Sequence, residues 1–225
     1  QNIYNVILEI DNVELYFKNK TILNGIYLKA QTGKVTGVLG SNGSGKSCLL
    51  QIIFGSLIPK YKLVRIDNKP IIKPLYQTNL VKYLPQHSLI PKSLSLKHIF
   101  KIYELDWFAF IEIFKEFSSF KNYKSSQLSG GQIRLIETYI VLKSPSKIIL
   151  LDEPFSNLSP LHIEKISSII NNEKLHKAII ITDHFYRNII ESSDEIYLIK
   201  NGSSKLIGNI LELEDYKYLS QDSLT

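Results

Sequence analysis

Eight consecutive residues, Gly40-Ser-Asn-Gly-Ser-Gly-Lys46-Ser47, combine three glycines with one lysine and three hydroxyls. Such a composition suits the holding of phosphate. Glycines at 40, 43 and 45 let the backbone turn its N–H groups inward around anionic oxygens, and the apolar run Cys48 to Phe54 behind them predicts a helix whose N-terminus adds partial positive charge. Lys46 is then placed to reach β- and γ-phosphates, and Ser47 to offer its hydroxyl to Mg²⁺. Ser41, Asn42, Ser44 and Cys48 complete the predicted phosphate-side contacts. A glycine-rich turn that binds nothing is the competing reading, which the full eight-residue pattern between a buried strand and a helix disfavours.

A second chemistry lies at Ile148-Ile-Leu-Leu-Asp152-Glu153-Pro154, an apolar strand ending in two adjacent acids. A buried strand rarely ends so unless a cation or substrate compensates the charge. Asp152 fits a carboxylate holding Mg²⁺, and Glu153 fits a general base or water-positioning group one residue further on. Alone, this pair would read as a solvated acidic turn; beside the phosphate loop it does not.

These residues need elements to place them. Val6 to Phe17 and Ile22 to Leu28 alternate apolar and polar residues, which predicts antiparallel strands. Lys34 to Leu39, Lys147 to Leu151, Ala178 to Thr182 and Glu195 to Lys200 are short apolar runs flanked by helical patterns, as parallel strands with crossover helices require. Ser95 to Phe120 has aromatic and aliphatic residues at helical spacing, with Ser95 and Asp106 at N-cap positions, and predicts an inserted helical subdomain. The fold class is therefore α/β.

Leu128-Ser129-Gly130-Gly131-Gln132, just ahead of the acidic strand, narrows the reading. It resembles the signature sequence of ATP-binding cassette (ABC) proteins, and the order of loop, signature and acidic strand is similar to theirs across nearly the whole chain. The resemblance implies a P-loop NTPase (RecA-like) core with an N-terminal antiparallel β subdomain. The expected division is 1–86 and 145–208 as nucleotide-binding core, 87–144 as helical subdomain with the signature, and 209–225 as tail. It implies ATP and Mg²⁺ as ligands, with Ser129, Gly130, Gly131 and Gln132 closing on the γ-phosphate held by a second ABC subunit. Homodimerisation is the default, because one chain carries both halves of a site. It further implies that Gln86, in Tyr-Leu-Pro-Gln86, senses Mg²⁺ and the attacking water, that His184, in Thr-Asp-His184, contacts the γ-phosphate, and that Phe17 stacks on adenine, with Tyr16 the alternate. The expected metal set is Ser47, Gln86 and Asp152; the expected catalytic set is Lys46, Gln86, Glu153 and His184.

Within the family, Asp-Glu-Pro-Phe155 with Pro160, and Thr-Asp-His184 with Arg187, resemble lipopolysaccharide-export and branched-chain amino-acid uptake ATPases. The chain departs from the family at Ser159, where aspartate is usual, although serine before Pro160 can still cap a helix. Cys48 replaces the usual threonine, as a buried helix residue or as a thiol that nucleotide would shield. The implied function is the cytoplasmic ATP-hydrolysing motor of a transporter with a multi-spanning permease as partner, docked along His87 to Phe100 through Leu89, Ile90 and Leu94. A single-cassette ATPase for assembly, such as iron–sulfur cluster assembly, is the alternative.

Bulk properties agree with this. With 225 residues, 44% of them hydrophobic, the chain can bury one sizeable core. No apolar run reaches the ~18 residues of a membrane span. One cysteine and no secretory-type leader point to the cytoplasm. The net charge of +6 comes from scattered lysines and not from a stripe, so no nucleic-acid partner is expected.

Overall fold

The computed structural model describes residues 5–216, 218 and 219. The ends of the predicted core and tail, 1–4 and 220–225, lie outside the described residues, as does 217.

A four-stranded antiparallel sheet has the order β2-β1-β4-β5, from β1 (Ile7–Phe17), β2 (Lys20–Gln31), β4 (Tyr61–Ile66) and β5 (Lys69–Pro70). Along β1 the apolar residues Leu8 and Ile10, then Val13 and Leu15, point inward. The alternation slips by one between Ile10 and Val13, where the register with β2 shifts and Asn12 takes a left-handed φ of 50°. That slip is a bulge that keeps both halves of the strand facing one core.

The six-stranded sheet has the order β10-β9-β3-β8-β7-β6, from β3 (Val35–Leu39), β6 (Val81–Leu84), β7 (Ile148–Asp152), β8 (Ala178–Thr182), β9 (Glu195–Lys200) and β10 (Ser203–Ile207). Only β10 is antiparallel to its neighbour. Strands β3, β7 and β8 are buried at every position, as a sheet covered on both faces demands. Ile149 and Leu151 join one core with the helices α4 (Gly130–Lys143) and α5 (Pro160–Glu173), whereas Ile148 and Leu150 join a second core with α1 (Lys46–Phe54) and the antiparallel sheet.

Residues 87–144 contain α2 (Leu96–Ile102), α3 (Trp107–Ile113) and α4, and no strand of either sheet. The remaining helices are α6 (Tyr186–Ser192) and α7 (Glu212–Asp215). Phe110 sits at the centre of the helical part, with ring centroids of Phe100, Trp107, Phe114, Phe117 and Tyr139 between 4.9 and 5.5 Å from its own. Asp106 caps α3 by accepting from the Phe108 amide at 2.9 Å. Ser95 occupies the N-cap position of α2, but its hydroxyl meets His98 Nδ1 at 2.7 Å and makes no cap bond.

The docking face expected at Leu89, Ile90 and Leu94 is corrected: Ile90 is 4% exposed, and Leu89 and Leu94 are partly buried on the same core. The cause is a polar anchor, the Glu137 carboxylate, which accepts the amides of Leu89 and Ile90 and draws the segment down onto α4. Strands β4, β5, β6 and β10 are additions to the elements predicted from sequence. No helix among the described residues is long and apolar enough to cross a membrane.

Phe110→Ala should lower unfolding stability by about 3–5 kcal/mol, since it removes the ring at the centre of the cluster. Urea denaturation followed through Trp107, the only tryptophan of the chain, reads this directly.

Candidate functional site

Strand β3 ends at Leu39 and the chain turns through residues 40–45 into α1. Gly45 caps this helix with φ 99°, a left-handed conformation, and a Cβ there would come within 2.6 Å of Leu23 Cδ2 on β2. Glycine is thus required twice at this residue, for its backbone angle and for the close approach of the loop to the antiparallel sheet. Lys46 is 8% exposed, and its ammonium donates to the loop's own carbonyls, Gly40 O at 2.6 Å and Ser41 O at 3.2 Å. Burial lowers the Lys46 pKa, opposed by Glu153, Asp152 and Asp183. Ser44 Oγ is buried with no hydrogen-bond partner among the described residues.

Parallel strands bring their C-terminal ends to one edge, and the other predicted residues arrive there. Asp152 closes β7 at 1% exposure; its Oδ1 accepts from Ser47 Oγ at 3.1 Å and its Oδ2 from Tyr83 O–H at 3.3 Å. Burial raises this carboxyl above the usual range, while the Ser47 hydrogen bond works against that rise. Glu153 follows with a left-handed φ of 55°, its amide bonded to Thr182 O of β8 at 2.7 Å. Its carboxylate stands 3.6 Å from His184 Nδ1, which is also 3.4 Å from Asp183 Oδ1. Asp183 is fully buried and burial raises its carboxyl; Oδ1 accepts from the Phe185 amide, and Oδ2 has no partner among the described residues.

An open cavity of about 650 Å³ is lined by Phe17, Ile22, Asn42, Gly43, Gly45, Lys46, Ser47, Cys48, Gln86, Glu153 and His184. Phe17 is half exposed at the end of β1 and supplies an aromatic wall, whereas neighbouring Tyr16 lines a separate groove under Lys60. Of the two aromatic candidates, Phe17 faces this cavity. Cys48 is partly buried and borders the cavity, so it is less enclosed than a core helix residue. Burial pushes its thiol up, and Asp152 adds to the rise.

The signature residues lie elsewhere. Ser129 caps α4: its hydroxyl accepts from the Gln132 amide at 3.2 Å, and Gln132 Oε1 accepts the Ser129 amide at 2.9 Å, a reciprocal capping box. None of Ser129, Gly130, Gly131 and Gln132 lines the cavity, and Ser129 and Gly130 are exposed. Gly131 faces the loop after β7 so closely that a Cβ would collide with Asn157 O, while a Cβ on Gly130 would meet nothing. In that loop Ser159 caps α5 by accepting from the His162 amide at 3.3 Å, ahead of Pro160.

Three residues near the site escaped the sequence reading of its chemistry. Tyr83 steadies Asp152 and sits within Tyr-Leu-Pro-Gln86, so its motif is visible in the sequence though its role is not. Asp183 is likewise inside Thr-Asp-His184. Arg134, 6% exposed on α4, donates to Pro85 O at 2.7 Å, Glu153 O at 3.0 Å and Asp152 O, and nothing in its local spacing announces that.

The sequence pattern described as "ABC transporter" matches residues 23–156. The arabinose import ATP-binding protein AraG of Mannheimia succiniciproducens is 31% identical over 87% of this chain, which spans 42% of that protein. The lipopolysaccharide export system ATP-binding protein LptB of Haemophilus influenzae is 26% identical over 89% of each chain. A solved ATP-binding subunit of an ABC transporter superposes with a TM-score of 0.80 over 97% of this chain and 96% of its own, at 19% identity, a likeness of fold.

Gly131→Ala should destabilise the ligand-free protein by about 1–3 kcal/mol through the displaced 156–159 loop, while Gly130→Ala should leave its stability unchanged; urea melts of the two variants test the contrast. Cys48, with its thiol held above the ordinary range, should be alkylated by iodoacetamide at pH 7.5 more slowly than free cysteine, and mass spectrometry of the labelled protein reads the rate.

Proposed function

Because this chain belongs to the ABC transporter family, we propose that it binds and hydrolyses ATP as the motor subunit of a transporter. One observation carries the reading: Lys46, Gln86, Glu153 and His184, distant in sequence, line a single cavity with Phe17 on its wall. In this reading Phe17 stacks on adenine, the loop 40–47 wraps the phosphates, and Lys46 exchanges the Gly40 and Ser41 carbonyls for β- and γ-phosphate oxygens. Ser129, Gly130, Gly131 and Gln132 serve the nucleotide of a second copy. What supports this is a helix N-terminus exposed away from its own chain's cavity.

The residues present fit Mg²⁺. Asp152 is a buried carboxylate whose charge burial disfavours, and a hard dication with oxygen ligands offsets that cost. Ser47, Gln86 and Asp152 would hold the ion, which supplies charge neutralisation on the phosphates. Glu153 orients a water toward the γ-phosphorus and takes up that water's proton as the water oxygen bonds to phosphorus and the bridge to the β-phosphate breaks, releasing ADP and phosphate. His184, held between Asp183 and Glu153, donates to a γ-phosphate oxygen.

The domain reading is retained as part of this proposal, with 1–86 and 145–208 as the nucleotide-binding core, 87–144 as the helical subdomain and 209–225 as tail. A homodimer of such cassettes docked on a multi-spanning permease at the cytoplasmic face is the assembly we propose. Membranes of the source cell, solubilised in mild detergent with the tagged protein, should yield a multi-spanning protein by mass spectrometry; recovery of soluble partners alone would move the reading to an assembly ATPase.

Glu153→Gln should lower ATP turnover by at least about a hundredfold while preserving ATP binding. Phosphate release and nucleotide-binding titrations check the two halves, and turnover that survives the substitution would remove Glu153 from its role.

A further inference from the structure

Gln86 borders the cavity from a short exposed segment, Gln86 to Ser88, between the end of β6 and buried Ile90. Both flanks of that segment are gripped by one turn of α4. On the near side, Arg134 donates to Pro85 O at 2.7 Å. On the far side, one oxygen of Glu137 accepts Ser88 Oγ at 2.7 Å, the Leu89 amide at 2.6 Å and the Ile90 amide at 3.0 Å. The two side chains are three residues apart on the helix, 3.7 Å from each other, and 7% and 2% exposed. Arg134 also donates to the Asp152 and Glu153 carbonyls, so the same guanidinium touches the chain on both sides of the cavity's catalytic edge.

We infer that Arg134 and Glu137 form a buried clamp that positions Gln86 against Asp152 and Glu153. A carboxylate that accepts three donors from consecutive residues fixes the direction of the backbone there, and charge assistance strengthens each bond in a site closed to water. With Pro85 held at one end and Ser88 to Ile90 at the other, Gln86 has little backbone freedom left. Its amide is delivered to the cavity at a depth set by α4, not by the loop itself. Because α4 starts at the signature residues 129–132, the clamp also ties the placement of Gln86 to whatever closes on that helix end. Neither residue touches the nucleotide; both are positioning residues, and the inference rests on the reading of Gln86 as a catalytic group.

The test is a double-mutant cycle with an exchange measurement on the full chain. Glu137→Gln should lower kcat by about ten- to a hundredfold with KM for ATP held within about threefold. In a Gln86→Ala background the same substitution should change kcat by less than about twofold, since there is nothing left to position. Hydrogen exchange at the Leu89 and Ile90 amides should accelerate in Glu137→Gln. Ser88→Ala, which removes one donor from an exposed residue, should show the same pattern in smaller measure and guards against loss of folding. Several outcomes overturn the clamp: unchanged amide exchange, a full kcat loss that persists in the Gln86→Ala background, or a Gln86→Ala variant as active as the parent. An inactive parent chain would instead sink the ATPase reading, and the exchange measurement would still decide whether Glu137 holds the segment.

Discussion

Negative charge gathered at one edge of a parallel sheet is the constraint on which the rest of the structure turns. Strands β7 and β8 deliver Asp152, Glu153 and Asp183 to adjacent positions, and burial penalises the ionised forms of Asp152 and Asp183. Lys46 on α1 and Arg134 on α4 are the buried cations that face this edge. The guanidinium is itself depressed by burial and held up by Glu137, Asp152, Glu153 and Asp183. The arrangement tolerates the acids without neutralising all of them, and in the proposed function a dication and a polyphosphate arrive there together.

The cavity also joins two sheets. Its aromatic wall, Phe17, belongs to the antiparallel sheet, while Asp152 and the phosphate loop belong to the parallel one. Gly45 is one point where the phosphate loop meets the antiparallel sheet without a side chain between them, against Leu23 and Ile22. In the proposed function, adenine and phosphate recognition are therefore built on different scaffolds, joined by that contact and by the core shared by α1 and the antiparallel strands.

Much of this was legible in the sequence because it is local. The phosphate loop, the acidic strand end, the signature and the caps at Asp106 and Ser159 are contiguous patterns, and each reflects a geometry closed within a few residues. Strands β4, β5, β6 and β10 were not legible: Lys62 on the inward-facing set of β4 and Leu63 on the outward one break its alternation, β5 is two residues long, β6 four, and β10 is Ser-Ser-Lys-Leu-Ile, an edge strand with little to bury. Ile90 looks exposed from sequence because its burial is imposed from 47 residues away by Glu137, and no periodicity around Ile90 encodes that. Arg134 is similar, with carbonyl partners 18, 19 and 49 residues distant. Choosing between Phe17 and Tyr16 needed the pleat direction beyond the Asn12 bulge, which shifts the alternation in a way the residue types alone leave open.

Glu153 holds a left-handed backbone that disfavours any side chain with a Cβ by about 1–2 kcal/mol, and glycine would occupy it without that penalty. Folding and chemistry thus ask for different residues at one position. In a lineage of this chain released from the need to turn over nucleotide, drift toward stability would erase Glu153 early, while Asp106 or Phe110, which the fold itself requires, would persist. On the proposed function, the acid at 153 is in that sense a record of selection for turnover, written against the preference of the backbone that carries it.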